Sequence, residues 1–141
     1  MRFATWNVNS VKARLPRLLE WLEQARPDVL CLQETKVAAD AFPAAEVAEL
    51  GYETAAYGQG RWNGVAILSR AGLDDVQRGF PGEPGFPDPE ARAIGALCGG
   101  IRFVSLYAPN GRVVGSPFLT GVRFRPRQIV GHSGNRRFTS R

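Results

Sequence analysis

The sequence predicts an α/β fold, and its first 36 residues carry that prediction. Residues 29–32 form a run of four apolar residues, which is too short for a helix and apolar enough for a strand covered on both faces. The first ten residues predict a second short strand that runs into an Asn/Ser cluster. A helical pattern separates the two, and strand, helix and strand in succession are typical of α/β proteins.

The segment between these strands predicts an amphipathic helix that covers one face of the sheet. Pro16 suits its first turn, and Arg26-Pro27 ends it. Apolar side chains recur at i, i+3 and i+4 spacing at Leu18, Leu19, Trp21, Leu22 and Ala25. We therefore interpret Trp21 as a core residue.

The following residues predict one short helix and five further strands. The helix covers residues 44–50, with Pro43 at its start and Gly51 as its C-terminal cap. Strands are predicted over residues 52–57, 65–69, 73–78, 91–98 and 101–107. Gly99-Gly100 predicts a tight hairpin, whereas residues 79–89 hold four prolines and three glycines and predict a surface loop.

Length and composition predict one soluble domain. A chain of 141 residues is long enough for a real core, and no apolar run approaches the roughly 18 residues that a membrane span needs. The first residues lack the apolar segment of an export signal, so we expect a cytoplasmic protein. Cys31 and Cys98 lie in apolar runs without metal-binding spacing, which predicts core cysteines in a reducing compartment.

The net charge of +5 is distributed unevenly along the chain. Residues 1–115 hold 12 Lys and Arg against 13 Asp and Glu, whereas residues 116–141 hold six Arg and no acid. We therefore predict a folded part over residues 1–115 and a basic, divergent tail over residues 116–141, which we expect to be disordered. The body alone does not have the basic surface expected of a nucleic-acid binder.

Polar side chains follow three of the predicted strands. Asn7 and Glu34 end the first two, and residues 107–111 read Tyr-Ala-Pro-Asn-Gly after the last. A carboxylate at such a position must be paired, protonated or bound to a metal, because an isolated buried charge costs several kcal/mol. On spacing alone, Glu34 fits a salt bridge as well as a metal site, and Tyr107 fits a half-buried strand residue.

Two further features have a plain structural alternative. The glycine-rich segment 58–64, with Trp62 and Asn63, fits an ordinary hairpin turn. Arg92 fits an exposed strand residue as well as a site residue.

Four motifs in their order along the chain resemble the endonuclease/exonuclease/phosphatase superfamily, and within it the exodeoxyribonuclease III family. They are residues 1–10 (Met-Arg-Phe-Ala-Thr-Trp-Asn-Val-Asn-Ser), 32–36 (Leu-Gln-Glu-Thr-Lys), 62–69 (Trp-Asn-Gly-Val-Ala-Ile-Leu-Ser) and 105–111 (Ser-Leu-Tyr-Ala-Pro-Asn-Gly). The resemblance implies the N-terminal half of a four-layer α/β sandwich, with mixed β-sheets flanked by helices, in incomplete form. It also implies that the missing half supplies most of the second sheet.

The resemblance also implies roles for individual residues. Glu34 would hold Mg²⁺ or Mn²⁺ with Asn7 beside it, and Tyr107 would contact the scissile phosphate. Asn110 would bind the phosphate backbone, and the remaining DNA contacts would come from Trp62, Asn63 and Arg92. The implied substrate is double-stranded DNA at abasic sites or 3′ ends, and the implied parent enzyme is monomeric.

Two catalytic motifs of the resembled family have no counterpart in this sequence. These are the Gly-Asp-Phe-Asn motif with the general base and the Ser-Asp-His motif with the catalytic imidazole. The only histidine, His132, stands in Gly-His-Ser-Gly and lacks the preceding Asp. We therefore expect a truncated, frame-shifted and inactive relative of these nucleases.

Two other functions remain open from the sequence. The arginine-rich tail would suit a non-catalytic nucleic-acid-binding protein, because Lys and Arg bind phosphate without regard to base sequence. A superfamily phosphatase acting on small phosphate esters would leave the specific matches at residues 33–36 and 62–64 unexplained.

Overall fold

The first three elements form a β-α-β unit. The computed structural model describes residues 1–79 and 90–109, which fall almost entirely in one unit, Met1–Ala108. In it, β1 (Phe3–Asn7) and β2 (Val29–Gln33) pair in parallel, and α1 (Val11–Ala25) connects them. This arrangement confirms the predicted α/β class and aligns the carboxyl ends of two strands.

The helix α1 begins five residues before the predicted position. Ser10 caps it, since the Ser10 hydroxyl accepts a hydrogen bond from the Ala13 amide at 3.3 Å. Pro16 therefore lies inside the helix, and the prediction that it opens the helix is wrong. The predicted end is confirmed: Arg26 adopts the left-handed conformation, and its amide bonds to the Leu22 carbonyl.

Two antiparallel strands complete the first sheet. β3 (Glu53–Tyr57) and β4 (Val65–Ser69) give the strand order β1-β2-β4-β3. A short 3₁₀ turn (Ala39–Ala41) and α2 (Ala44–Ala48) precede β3. These elements agree with the predicted ones to within about two residues, which is the usual uncertainty of element ends.

The second sheet is an antiparallel meander of three strands. It consists of β5 (Asp74–Arg78), β6 (Ala93–Cys98) and β7 (Ile101–Leu106) in that order. Gly99 and Gly100 form the predicted hairpin turn with φ angles of +56° and +80°. Both angles fall where glycine is favoured, as a two-residue turn of this kind requires.

Two apolar clusters order these elements into layers. One cluster joins α1 and α2 to the outer face of the first sheet and includes Leu18, Leu22, Leu30, Val47 and Leu68. The other joins the inner faces of the two sheets and includes Val29, Cys31, Ile67, Ile94 and Cys98. The layers are thus helix, sheet and sheet, as in an incomplete sandwich.

Residues 3–106 supply strands of both sheets, four in the first and three in the second, and the expectation that the missing half supplies most of the second sheet stays a prediction. β5, β6 and β7 pack over the inner face of the first sheet. Val29, Val65 and Ile67, which lie on this inner face, are fully buried as a result. Phe3 and Val104, at the sheet edges, keep 69% and 55% of their surface exposed.

The two cysteines behave as predicted from the sequence. Both are free and buried in the cluster between the sheets. Burial raises the pKa of the Cys31 thiol to about 11, which keeps this thiol protonated at neutral pH.

Three of the predictions lie outside the described residues. These are the loop from residue 80 to 89, the site residue Asn110, and the boundary between residues 115 and 116 with the tail and His132 beyond it. Within residues 1–79 and 90–109, no helix has both the length and the apolarity to cross a membrane.

Candidate active site

The parallel pairing of β1 and β2 continues beyond the ends of both strands. The amides of Val8, Ser10 and Val11 donate to the carbonyls of Gln33, Glu34 and Thr35 at 3.0, 2.8 and 3.0 Å respectively. These bonds hold the segment after β1 against the segment after β2. The polar side chains that follow the two strands therefore meet at one corner of the sheet, where α/β folds place their ligands.

Glu34 lies at the centre of this corner. Its Oε1 accepts a hydrogen bond from Asn7 Nδ2 at 2.9 Å, and its Oε2 lies 3.2 Å from Lys36 Nζ. Lys36 Nζ also donates to Asn9 Oδ1 at 2.5 Å, and the Asn9 amide donates to Asn7 Oδ1 at 3.1 Å. The four residues form a closed ring of contacts around one carboxylate, in which Asn9 contributes its backbone amide as well as its side chain.

The surroundings of Glu34 favour its ionised form. The hydrogen bond from Asn7 is the main cause, and Lys36 and Tyr107 add to it, so the pKa of Glu34 lies below its usual value although burial opposes the shift. Hydrogen bonds to a carboxylate and a nearby cation both stabilise the charged state. The Glu34 carboxylate is therefore ionised at neutral pH and forms an ion pair with Lys36.

Tyr107 reaches this carboxylate from the second sheet. It follows β7, its amide donates to the Arg92 carbonyl at 2.8 Å, and its phenol lies close enough to Glu34 for each group to shift the pKa of the other. Burial, and then the charge of Glu34, raise the pKa of Tyr107, so the phenol stays neutral and remains a donor. Asn7, Glu34 and Tyr107, which follow three different predicted strands, thus lie at the same corner.

Arg92 is buried, contrary to the interpretation of an exposed strand residue. Only 7% of its side chain is exposed, and its Nη2 lies 2.5 Å from Glu90 Oε2. Because its carbonyl holds the Tyr107 amide, Arg92 supports the position of Tyr107. A contact between Arg92 and DNA stays a prediction.

The segment with Trp62 and Asn63 is tied to the same corner. The amides of Thr35 and Lys36 donate to the carbonyls of Gly64 and Asn63 at 3.1 and 3.0 Å. Gly64 has a φ of +93°, and a Cβ there would lie 2.1 Å from Thr35 Oγ1, so only glycine allows this approach. Trp62, at the tip, keeps 67% of its surface exposed.

Comparison with known proteins assigns the chain to a family. Residues 4–137 match the endonuclease/exonuclease/phosphatase family. The chain belongs to this family. The match extends past residue 115, and the boundary drawn there stays a prediction.

Several relatives and solved structures that resemble the chain are nucleases by name. The chain is 41% identical over 81 residues to the exodeoxyribonuclease III of Haemophilus influenzae, covering 57% of this chain and 30% of that enzyme. It superposes with a TM-score of 0.78 on a 3′-5′ exonuclease from Neisseria meningitidis at 42% identity, covering 85% of this chain and 46% of that one. An AP endonuclease from Archaeoglobus fulgidus gives the same TM-score and coverage at 38% identity. The chain therefore spans less than half the length of these relatives.

The donor atoms at the corner fit a hard divalent cation. Carboxylate and amide oxygens are ligands that Mg²⁺ accepts, and Mg²⁺ commonly uses one or two carboxylates together with water and substrate phosphate. Glu34 is the single carboxylate here, and the described residues contain no group of three or more potential metal-binding side chains. In this structure the cation beside the Glu34 carboxylate is the Lys36 ammonium, 3.2 Å away.

Backbone strain concentrates around this corner. Seven non-glycine residues of the described chain have positive φ, and five of them are Asn9, Ser10, Glu34, Lys36 and Asn63. Each such residue costs about 1–3 kcal/mol and persists only where the surroundings hold it. Their clustering is typical of a functional site.

The sequence reasoning assigned no role to Gln33, Lys36 or Asn9. Gln33 Nε2 donates to Thr5 Oγ1 at 2.9 Å and to Ser105 Oγ at 3.1 Å, so it links β1 to the second sheet. Lys36 and Asn9 complete the ring around Glu34. The sequence signal that could have identified Lys36 and Asn9 is their position two residues after Glu34 and Asn7. When two strands end together, the residues that follow them are brought together as well.

Proposed function

We propose that this chain carries the metal-binding and phosphate-facing part of a Mg²⁺-dependent DNA-repair nuclease of the exodeoxyribonuclease III type. The observation that carries the proposal is the ring of Asn7, Glu34, Lys36 and Asn9 with Tyr107 above it. The similarity of this part of the chain to named DNA nucleases supports the substrate class. The substrate is then double-stranded DNA at abasic sites or 3′ ends, and the compartment is the cytoplasm.

Each residue has a distinct task in this proposal. Glu34 and Asn7 hold Mg²⁺ or Mn²⁺, which when bound neutralises charge on the phosphate oxygens. Tyr107, kept neutral by its surroundings, donates a hydrogen bond toward the phosphate. Asn110 binds the phosphate backbone, while Trp62, Asn63 and Arg92 contribute the remaining DNA contacts.

We also propose that these residues alone give no efficient turnover. Hydrolysis needs a base that activates water, and the Gly-Asp-Phe-Asn and Ser-Asp-His motifs that would supply the base and the imidazole are absent from the sequence. Loss of general acid-base catalysis typically costs about 10²- to 10⁴-fold in rate. The chain accordingly binds metal and phosphate but depends on further groups for catalysis.

Calorimetry with Mg²⁺ tests the metal site. We expect Glu34→Gln to abolish the binding heat, because it removes the one carboxylate of the corner. Asp40→Asn, at an exposed acid on the 3₁₀ turn, is the matched control and should bind like the wild type. Equal affinity in wild type and Glu34→Gln would identify Glu34 as a structural salt-bridge residue.

An incision assay tests the catalytic part of the proposal. We expect no multiple-turnover cleavage of a duplex with one abasic site by the 141-residue chain. Cleavage that is abolished both by EDTA and by Tyr107→Phe would contradict the absence of turnover, while supporting the assignment of the site.

A further inference from the structure

β1 and the end of β7 present similar rows of side chains to the space between the two sheets. Side chains two residues apart in a strand lie on the same face of the sheet. The rows are Phe3, Thr5 and Asn7 on β1, and Phe103, Ser105 and Tyr107 on and just after β7. Two members of the second row, Phe103 and Tyr107, pack against the apolar cluster between the sheets. Each row thus runs from an aromatic ring through a hydroxyl to a residue of the candidate active site.

The first two steps of these rows are joined across the space between the sheets. The rings of Phe3 and Phe103 meet edge to face at a centroid distance of 5.7 Å. Gln33, the last residue of β2, connects the next pair, since its Nε2 donates to Thr5 Oγ1 at 2.9 Å and to Ser105 Oγ at 3.1 Å. We call Thr5, Gln33 and Ser105 the polar layer. Along both strands it lies between the aromatic contact and the candidate active site.

The polar layer is buried at Ser105 and uses this hydroxyl both as a donor and as an acceptor. Ser105 is only 1% exposed. Its Oγ donates to the Leu32 carbonyl of β2 at 2.8 Å and accepts from Gln33 Nε2. A buried polar group that loses its partner is costly, so these bonds are not readily exchanged for others. They fix β7 against β2 at one relative position.

The neighbouring contact between the sheets is apolar. It is formed by the cluster that includes Cys31, Ile67 and Ile94. The free energy of apolar burial depends mainly on the area removed from water and is non-directional. Hydrogen bonds, in contrast, require particular distances and angles. The polar layer is therefore the part of this contact that is most sensitive to the alignment of the two sheets.

The polar layer lies directly before the candidate active site on both strands. Gln33 precedes Glu34, and Ser105 lies two residues before Tyr107 on the same strand face. The Glu34 carboxylate is held by the first sheet through the 2.9 Å hydrogen bond from Asn7, whereas the Tyr107 amide continues the pairing of the second sheet. A displacement of one sheet along the other would therefore separate Glu34 from Tyr107.

We propose that Gln33 and Ser105 are positioning residues, whose hydrogen bond holds the Tyr107 phenol next to the Glu34 carboxylate. The inference deepens the proposed function and rests on it for the roles of Tyr107 and Glu34. Alignment matters at such a site because small displacements of the groups that hold a substrate cost a large part of the rate. In this proposal the polar layer touches neither metal nor phosphate and acts only through the two groups that do.

Carbon-13 spectra of the Tyr107 phenol test the proposal in the absence of metal and DNA. Tyrosine labelled at Cζ gives three signals, from Tyr52, Tyr57 and Tyr107, and Tyr107→Phe identifies the third. The difference in this signal between the chain and Glu34→Gln, both at neutral pH, is the Glu34-dependent shift. Because the readout needs no cation, a failure of Mg²⁺ binding would refute the proposed function and leave this test valid.

Four variants, each compared with and without Glu34→Gln, locate the cause of this shift. Gln33→Leu and Ser105→Ala remove the hydrogen bond, and each should lose most of the Glu34-dependent shift. Ser105→Thr, which keeps the hydroxyl, should retain it. Ile94→Val is the matched control, because it removes one methyl group from the neighbouring apolar contact and leaves the polar layer intact, and it should retain the shift as well.

Thermal melts check that each variant folds, and if either Gln33→Leu or Ser105→Ala does not, the other decides. Absence of a Glu34-dependent shift in the chain itself would overturn the proposal. An unchanged shift in folded Gln33→Leu or Ser105→Ala would do the same, as would a loss in Ser105→Thr or Ile94→Val equal to that in Ser105→Ala.

Discussion

Glu34 and Lys36 face each other across 3.2 Å although both residues have left-handed backbone conformations, with φ angles of +53° and +52°. The turn after β2 thus folds the Lys36 side chain back onto the carboxylate two residues before it. Because Glu34 is the proposed metal ligand, Lys36 competes with any cation that binds there.

Replacing Lys36 by methionine should therefore raise the affinity for Mg²⁺. A partly exposed ion pair is typically worth about 0.2–1 kcal/mol, which corresponds to an increase of about 1.4- to 5-fold when the competing ammonium is removed. Calorimetry on Lys36→Met measures it, and Lys12→Met on the exposed surface of α1 is the control. An unchanged or lower affinity would mean that Lys36 helps to form the metal site instead.

Substitution of Gly64 by alanine should destabilise the chain more than substitution of Gly72. Both glycines have positive φ, +93° and +86°, so alanine meets the left-handed backbone penalty of about 1–2 kcal/mol at either position. Only Gly64 adds a steric conflict, with Thr35 Oγ1 at 2.1 Å, whereas nothing lies within 4 Å at Gly72. Urea unfolding of both variants measures the loss in free energy of unfolding, and the difference between them is the cost of the conflict with Thr35. Equal losses in the two variants would show that the Thr35 side chain moves aside freely.

Asp28 should make the free energy of unfolding depend on pH in the acid range. Its pKa is lowered, chiefly because the Arg2 amide donates to Asp28 Oδ2 at 2.7 Å. A lowered pKa means that the stabilisation is fully present above the unfolded-state value of 3.8 and is lost as the pH falls through the lower folded-state pKa. The stability advantage of wild type over Asp28→Asn should accordingly shrink below pH 3.8, and an advantage independent of pH would contradict the hydrogen bond.

The apolar side chains exposed on β1 and β7 should make the isolated chain bind dyes that report exposed apolar surface. Phe3 on β1 is 69% exposed, so Phe3→Ser should lower the dye fluorescence at equal protein concentration. Gln77→Ser, at an exposed polar residue of β5, should leave the fluorescence unchanged. A monomer that melts in one sharp transition and takes up no dye would show that this surface is already covered.

Periodicity predicted the elements, while tertiary contacts decided their finer features. The strand over residues 65–69 agrees with β4 residue for residue, because an apolar run bounded by Gly64 and Arg70 allows little else. The start of α1 was predicted wrongly because Pro16 is a strong local signal for a helix start. The Ser10 cap, in contrast, depends on a φ of +92°, which the residue type does not predict. A salt bridge of Glu34 was one of the two alternatives that the sequence left open, but its partner Lys36 was not identified, because the contact arises from a turn with unusual backbone angles.

The ring around Glu34 joins two short segments, residues 7–9 and 34–36, that both lie within the first 36 residues of the chain. Asn7 and Glu34 are 27 residues apart, and at about 5–20 residues per second a ribosome would add them about 1 to 5 s apart. Tyr107 emerges much later, with the second sheet. All four residues of the ring are therefore synthesised before Tyr107, the residue that approaches Glu34 from the second sheet.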